Sequence, residues 1–128
     1  MNPKMIWSNL TAADLDRTTE FYTKLGFKSN GQSEDLTSIL FGEHHFVINF
    51  FLEDKLKANV EIEISEAHFA NEVIFTLSAE SKNEVDDWET AVLNAGGKIV
   101  SRPKAFGKDY YGCVFADPDG HKFNVLYM

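Results

Sequence analysis

The sequence predicts an α+β fold made of two tandem βαβββ modules whose curved sheets form a cup-shaped cleft. Three observations carry that expectation. An amphipathic helical stripe at Leu15, Thr18, Tyr22 and Leu25 recurs 70 residues later at Val85, Trp88, Val92 and Ala95. Each stripe is followed by glycine, Gly26 in the first case and Gly96-Gly97 in the second, as suits a helix C-terminus. β-rich runs bounded by turn residues surround both helices. At 128 residues the chain is about one domain's worth of sequence. The organisation read from it is therefore a single domain, residues 1–128, with the first module and the start of a linker in 1–60 and the linker's end and second module in 61–128.

Taken in order, residues 5–10 read as a strand, and Asp14 then stands as the N-cap of the first helix, with Phe21 beside the apolar stripe. The helical period disappears after Phe27. Residues 37–41 and 46–52 are β-rich runs separated by Gly42-Glu43-His44-His45 at a turn. Residues 53–72 are acidic and mixed, contain no Gly or Pro, and read as an ordered excursion with a helical turn. Within them Glu61, Glu63 and Glu66 interleave with Ile62 and Ile64, the pattern of a half-exposed strand or edge. The second cycle opens with a strand over residues 73–79. Ser81 and Glu84 then form a capping-box pattern at the start of the second helix. Strands fit residues 98–101, 110–116 and 121–127, with Asp117-Pro118-Asp119-Gly120 as a tight turn between the last two.

The net charge of −8 repels phosphate backbones and anionic membranes and favours cationic ligands at long range, so neither nucleic acid nor a membrane is expected as a partner. The single cysteine, Cys113, excludes an intrachain disulfide and any zinc site built on two or more cysteines, and it fits a reducing cytoplasm. No segment approaches the roughly 20 apolar residues needed to span a bilayer, and the N-terminal residues lack a charged leader followed by an apolar stretch. The expectation is a soluble, cytoplasmic protein.

The order and spacing of several short motifs carry a resemblance. They are the opening strand leading into Asp14-Leu15-Asp16-Arg17, then Phe21-Tyr22-Thr23-Lys24-Leu25-Gly26-Phe27, then Ala95-Gly96-Gly97, and finally Asp117-Pro118-Asp119-Gly120-His121 before Phe123 and Asn124. In this respect the whole chain resembles the vicinal oxygen chelate superfamily, which includes glyoxalase I, bleomycin resistance proteins and extradiol dioxygenases. The resemblance implies a divalent metal held by four side chains, usually His or Gln and Glu, from the first and last strands of each module. The corresponding positions here are Trp7, Asn49, Ile74 and Asn124, and a register error of two at the second would point to Val47 or Phe51 instead. Trp and Ile offer no lone pair to a metal, and a neutral Asn lacks the charge and bidentate capacity of a carboxylate. The metal chemistry of the resembled enzymes is therefore not expected.

Other candidate groups read as structural. His44 and His45 would point to opposite faces of an extended strand and suit an exposed turn. His68 reads as solvated surface, and His121 as part of its turn. Cys113 has no basic neighbour in sequence to lower its pKa and reads as a buried, inert thiol. No serine sits in a nucleophile-elbow pattern, and no Gly-rich phosphate loop is present.

The cleft itself is expected to be aromatic. Alternation from Asn124 sends Phe123, Val125 and Tyr127 toward the helices, while Tyr111, Cys113 and Phe115 are assigned to the face that looks into the cup. Trp7, Phe51, Tyr111 and Phe115 would then supply flat walls, with Ile74 and Cys113 beside them and Asn49 and Asn124 as amide handles. Such a lining suits a planar or cationic organic ligand. The function expected is metal-independent small-molecule binding or sequestration of the bleomycin resistance type, without cofactor, and the resemblance implies a homodimer. The competing expectation is a metal-dependent glyoxalase-like lyase or isomerase drawing ligands from His44, His45, Glu43 or Glu53.

Overall fold

A computed structural model describes all residues, 1–128, in two compact units, Met1–Ile64 and Ser65–Met128. In the first unit the order is β1 (Trp7–Thr11), α1 (Leu15–Lys24), β2 (Lys28–Gln32), β3 (Leu36–Phe41), β4 (Phe46–Phe51) and α2 (Glu53–Val60). The second unit contains β5 (Phe75–Ser78), α3 (Lys82–Ala95), β6 (Lys98–Phe106), β7 (Tyr110–Ala116) and β8 (Lys122–Tyr127). Each unit has one four-stranded sheet, with strand orders β1-β4-β3-β2 and β5-β8-β7-β6. The two topologies are the same. In both, the first strand runs parallel to the last, and the remaining pairs are antiparallel.

The 70-residue repeat extends to the backbone hydrogen bonds that stop the helices. Gly26 N–H donates to Thr23 O at 3.0 Å and Phe27 N–H to Tyr22 O at 3.1 Å, while Gly96 N–H donates to Leu93 O at 3.2 Å and Gly97 N–H to Val92 O at 2.9 Å. Both glycines take positive φ, 97° and 98°, the left-handed conformation that closes this kind of helix end. At the other end, the Asp14 carboxylate accepts from Arg17 N–H and the Ser81 hydroxyl from Glu84 N–H, each at 3.0 Å. Glu84 reaches back to the backbone N–H of Glu80, one residue before the cap.

The core of the first unit is aromatic. Tyr22, fully buried on α1, packs its ring against Phe21, Phe41 and Phe50 at centroid distances of 4.9, 5.4 and 4.9 Å. In the second unit, Trp88 of α3 stacks on Phe115 at 5.6 Å, and Phe115 stacks on Phe123 at 5.2 Å, beneath the buried Val85 and Val92. These contacts bury one face of each sheet under its helix and leave the opposite face available.

Three expectations change in detail. The excursion after β4 is a two-turn helix, α2, whose Leu56 is buried. The run from Glu61 to Glu66 is not a strand, because Glu61 adopts φ 56° and donates its N–H to Lys57 O, which caps α2 and turns the chain out of an extended path. Finally, β6 runs past Ser101 to Phe106. Pro103, which argues against a strand interior, is accommodated because β6 is an edge strand with register shifts on either side of Ser101.

Candidate functional site

The helix-free face of the second sheet holds a cleft of about 350 Å³, lined by Ile74, Thr76, Ser101, Lys104, Phe106, Gly112, Cys113, Val114 and Asn124. Register explains this assembly. Thr76 pairs with Asn124, Asn124 with Val114, and Val114 with Ser101, so one row of side chains crosses all four strands. The neighbouring row places Lys104 opposite Gly112 and Gly112 opposite Leu126.

Gly112 sets the floor. A Cβ at this position would lie 2.5 Å from Val125 O, 3.0 Å from Phe106 Cε1 and 3.3 Å from Leu126 Cδ1. The absent side chain lets the β8 backbone and the Phe106 ring close in, and it leaves the depression over the middle of the sheet. Phe106 in turn stacks on Tyr110 at 5.8 Å, closing the hairpin end of the cleft with flat rings.

The lining is chiefly apolar. Its polar groups are the hydroxyls of Thr76 and Ser101, the Asn124 amide and the Lys104 ammonium, and no acidic residue is among them. Lys104 is exposed and makes no side-chain hydrogen bond or ion pair, unlike Arg102 two residues earlier, whose Nε donates to Glu89 Oε1 at 2.8 Å.

Of the residues expected from sequence to form a site, Ile74, Cys113 and Asn124 border this cleft. Ile74 sits just before β5 and is exposed. Trp7, Asn49 and Phe51 belong to the first unit. The register of β1 against β4 matches Trp7 with Val47, Asn9 with Asn49 and Thr11 with Phe51. Because Ile48 and Phe50 are buried on the α1 side, alternation puts Val47, Asn49 and Phe51 on the other face. A two-residue slip along β4 therefore stays on that face and meets neither His nor Glu.

The assignment of Tyr111, Cys113 and Phe115 to the open face is corrected by the β7–β8 register. Tyr111 pairs with Tyr127, Cys113 with Val125 and Phe115 with Phe123, so all six share the face under α3. Tyr111 Oη donates to Asp86 Oδ1 of α3 at 2.6 Å, and Phe115 is fully buried against Trp88. The hydrogen bond to Asp86 is the main reason that the Tyr111 pKa is raised. Burial, followed by the charges of Glu89 and Asp86, pushes the Cys113 thiol up to about 11. Cys113 is thus a protonated core thiol whose side chain lies on the α3 side, and it meets the cleft only at its rim.

The remaining candidates do not converge. His44 and His45 are exposed in the β3–β4 turn, where His45 takes φ 52°. His68 is exposed, but its backbone packs so closely on Gly120 that a Cβ there would lie 2.7 Å from His68 N. His121 is buried in the Asp117 turn, where its N–H donates to Asp117 Oδ1 at 2.9 Å.

A divalent metal, implied by the resemblance, does not fit the donors present. Trp7 and Ile74 have no metal-binding atom, Asn49 and Asn124 offer only neutral amide oxygens, and no three His, Cys, Asp or Glu side chains come together in a group able to hold a metal. Lys104 and Gly112 were not legible as site residues from sequence. The signal for Gly112 is the register of the β7–β8 hairpin closed by Asp117-Pro118-Asp119-Gly120, and the signal for Lys104 is the register of the β6–β7 hairpin closed by residues 107–109.

Residues 4–125 match the family model of the Glyoxalase/Bleomycin resistance protein/Dioxygenase superfamily. Among solved structures, the chain is similar to a hypothetical protein from S. aureus, with 29% identity, a TM-score of 0.88 and coverage of 100% of this chain and 96% of that one. It is also similar to a glyoxalase-related enzyme from Fulvimarina pelagi, at 18% identity and TM-score 0.85 over 98% of this chain and 89% of that chain. A lactoylglutathione lyase from Agrobacterium tumefaciens shares 22% identity and a TM-score of 0.70 over 99% and 96% of the respective chains. A comparison with curated proteins found no match. No helix is long and apolar enough to cross a membrane.

Proposed function

Because the chain belongs to the Glyoxalase/Bleomycin resistance protein/Dioxygenase superfamily, we propose that it is a small-molecule binding or sequestering protein of that type, working without the usual metal site. The observation that carries this reading is the cleft on the helix-free face of the second sheet, with its apolar walls, aromatic end and central amide from Asn124. Such a lining binds by excluding water from a flat apolar body and orienting it through a few hydrogen bonds. It presents no activated nucleophile, since the only cysteine is held as a thiol under α3.

On this reading the ligand is a small, largely aromatic organic molecule and the protein acts in the cytoplasm as a homodimer. The lone cysteine suits a reducing compartment. Neither nucleic acid nor membrane is a partner.

The test is a fragment screen by amide NMR on chelator-treated protein. Saturable shifts of Thr76, Gly112, Val114 and Asn124 are expected without added metal. Binding that vanishes in chelator and returns with a divalent ion would overturn the metal-independent reading, and a screen that moves none of these amides would remove the site.

A further inference from the structure

We propose that the ligand of this cleft is an amphipathic anion, a planar aromatic carboxylate whose head group pairs with Lys104 and whose ring lies over Gly112 and Val114 toward Asn124. The inference rests on the cleft being the binding site and adds the chemical class. The chain as a whole carries a net charge of −8, which at long range favours cations. A bound molecule meets something different. Its walls include one charged side chain, the ammonium of Lys104, and no carboxylate. Salt screens distant surface charges over about 8 Å at physiological ionic strength, so the nearest unscreened charge decides the sign.

Lys104 is also uncommitted. Arg102 on the same strand is tied to Glu89, whereas Lys104 has no acidic partner and can give all three of its N–H bonds to a ligand. Its register partner is Gly112, which sets no side chain of its own beside the lysine stem. Two strand spacings, roughly 10 Å, separate the Lys104 strand from the Asn124 strand. A fused bicyclic ring with one carboxylate bridges that span, with the Phe106 ring beside it and the Asn124 amide at its far edge.

The probes are 1-naphthoate, 1-naphthamide and 1-naphthylmethylammonium, titrated into the full chain and followed by amide NMR. Naphthoate is expected to bind about tenfold more tightly than naphthamide, which corresponds to one charge-assisted pair. The cleft amides Thr76, Gly112, Val114 and Asn124 should respond to both. Lys104→Met keeps the apolar stem and should bring naphthoate to the naphthamide affinity, with naphthamide changed by less than about twofold. Lys104→Glu should turn the preference toward the ammonium probe. Because Lys104 is exposed on an edge strand, both variants should keep the parent's thermal midpoint.

Naphthylmethylammonium binding in the cleft of the parent chain as tightly as naphthoate would overturn the anion assignment while leaving the cleft as a binding site. So would naphthoate affinity unchanged by Lys104→Met. If none of the three probes moves the cleft amides, both the ligand class and the cleft reading fall.

Discussion

Gly112→Ala tests the architecture of the cleft floor directly. The added methyl would sit 2.5 Å from Val125 O, 3.0 Å from Phe106 Cε1 and 3.3 Å from Leu126 Cδ1. The Phe106 ring is part-exposed on a hairpin, and Leu126 ends in a rotatable side chain, so both can yield. Val125 O cannot, because it belongs to the backbone of β8, the strand that lies between β5 and β7. Relief requires β7 and β8 to part by several tenths of an ångström, an overpacking strain of about 1–3 kcal/mol. In thermal unfolding this corresponds to a fall of about 4–11 °C in Tm, at about 4 °C per kcal/mol for a chain of this length. Denaturant unfolding should show a lower midpoint with an unchanged slope. The same methyl raises the floor, so a naphthoate titration should also weaken. A Gly112→Ala protein within about 0.5 kcal/mol of its parent, the range of an ordinary surface substitution, and with undiminished probe binding would refute the close-approach argument.

Phe115→Ala should cost about 3–5 kcal/mol, because the ring is fully buried between Trp88 and Phe123. It should nevertheless leave probe affinity unchanged in the folded fraction, since it acts on the opposite face from the cleft; urea unfolding and the NMR titration check the two halves. Ser81→Ala should lose about 1 kcal/mol by removing the acceptor for Glu84 N–H, read by thermal unfolding. The Cys113 thiol, pushed up to about 11, should give no thiolate absorbance in the ordinary thiol range. The raised value means that the fold favours the protonated form, so this contribution is complete below the ordinary thiol range and is lost as pH rises through about 11. A thiolate appearing in the native protein at its ordinary pKa would show that Cys113 is not desolvated.

How far the sequence carries can be judged residue by residue. The stripes at Leu15 and Val85 and the glycines that follow them identify both helices, because side-chain period and helix-end chemistry are local properties. The alternation on β8 correctly separates Phe123 and Val125 from Asn124. The same reasoning misplaced Phe115, because a face assignment on β7 needs a cross-strand register, which is tertiary information. Pairing Phe115 with Phe123 through the Asp117 turn settles it. Lys104 was hidden for a related reason. Pro103 argues for the end of a strand, and only the edge position of β6 allows the strand to continue and bring that lysine beside Gly112.

The clamp that Asp86 and Trp88 form on β7 makes the lone thiol a clock for local opening. Cys113 is 2% exposed and held protonated, so a thiol reagent reaches it only when α3 lifts from the sheet. The rate of modification under native conditions then counts these openings, in the way that amide exchange does for the backbone. Since the cleft lies on the other face of the same strands, a molecule bound there that stiffens the sheet slows the clock without reaching the sulfur, which points toward α3. One chemical label, already present in the natural sequence, thus reports occupancy from the far side of β7.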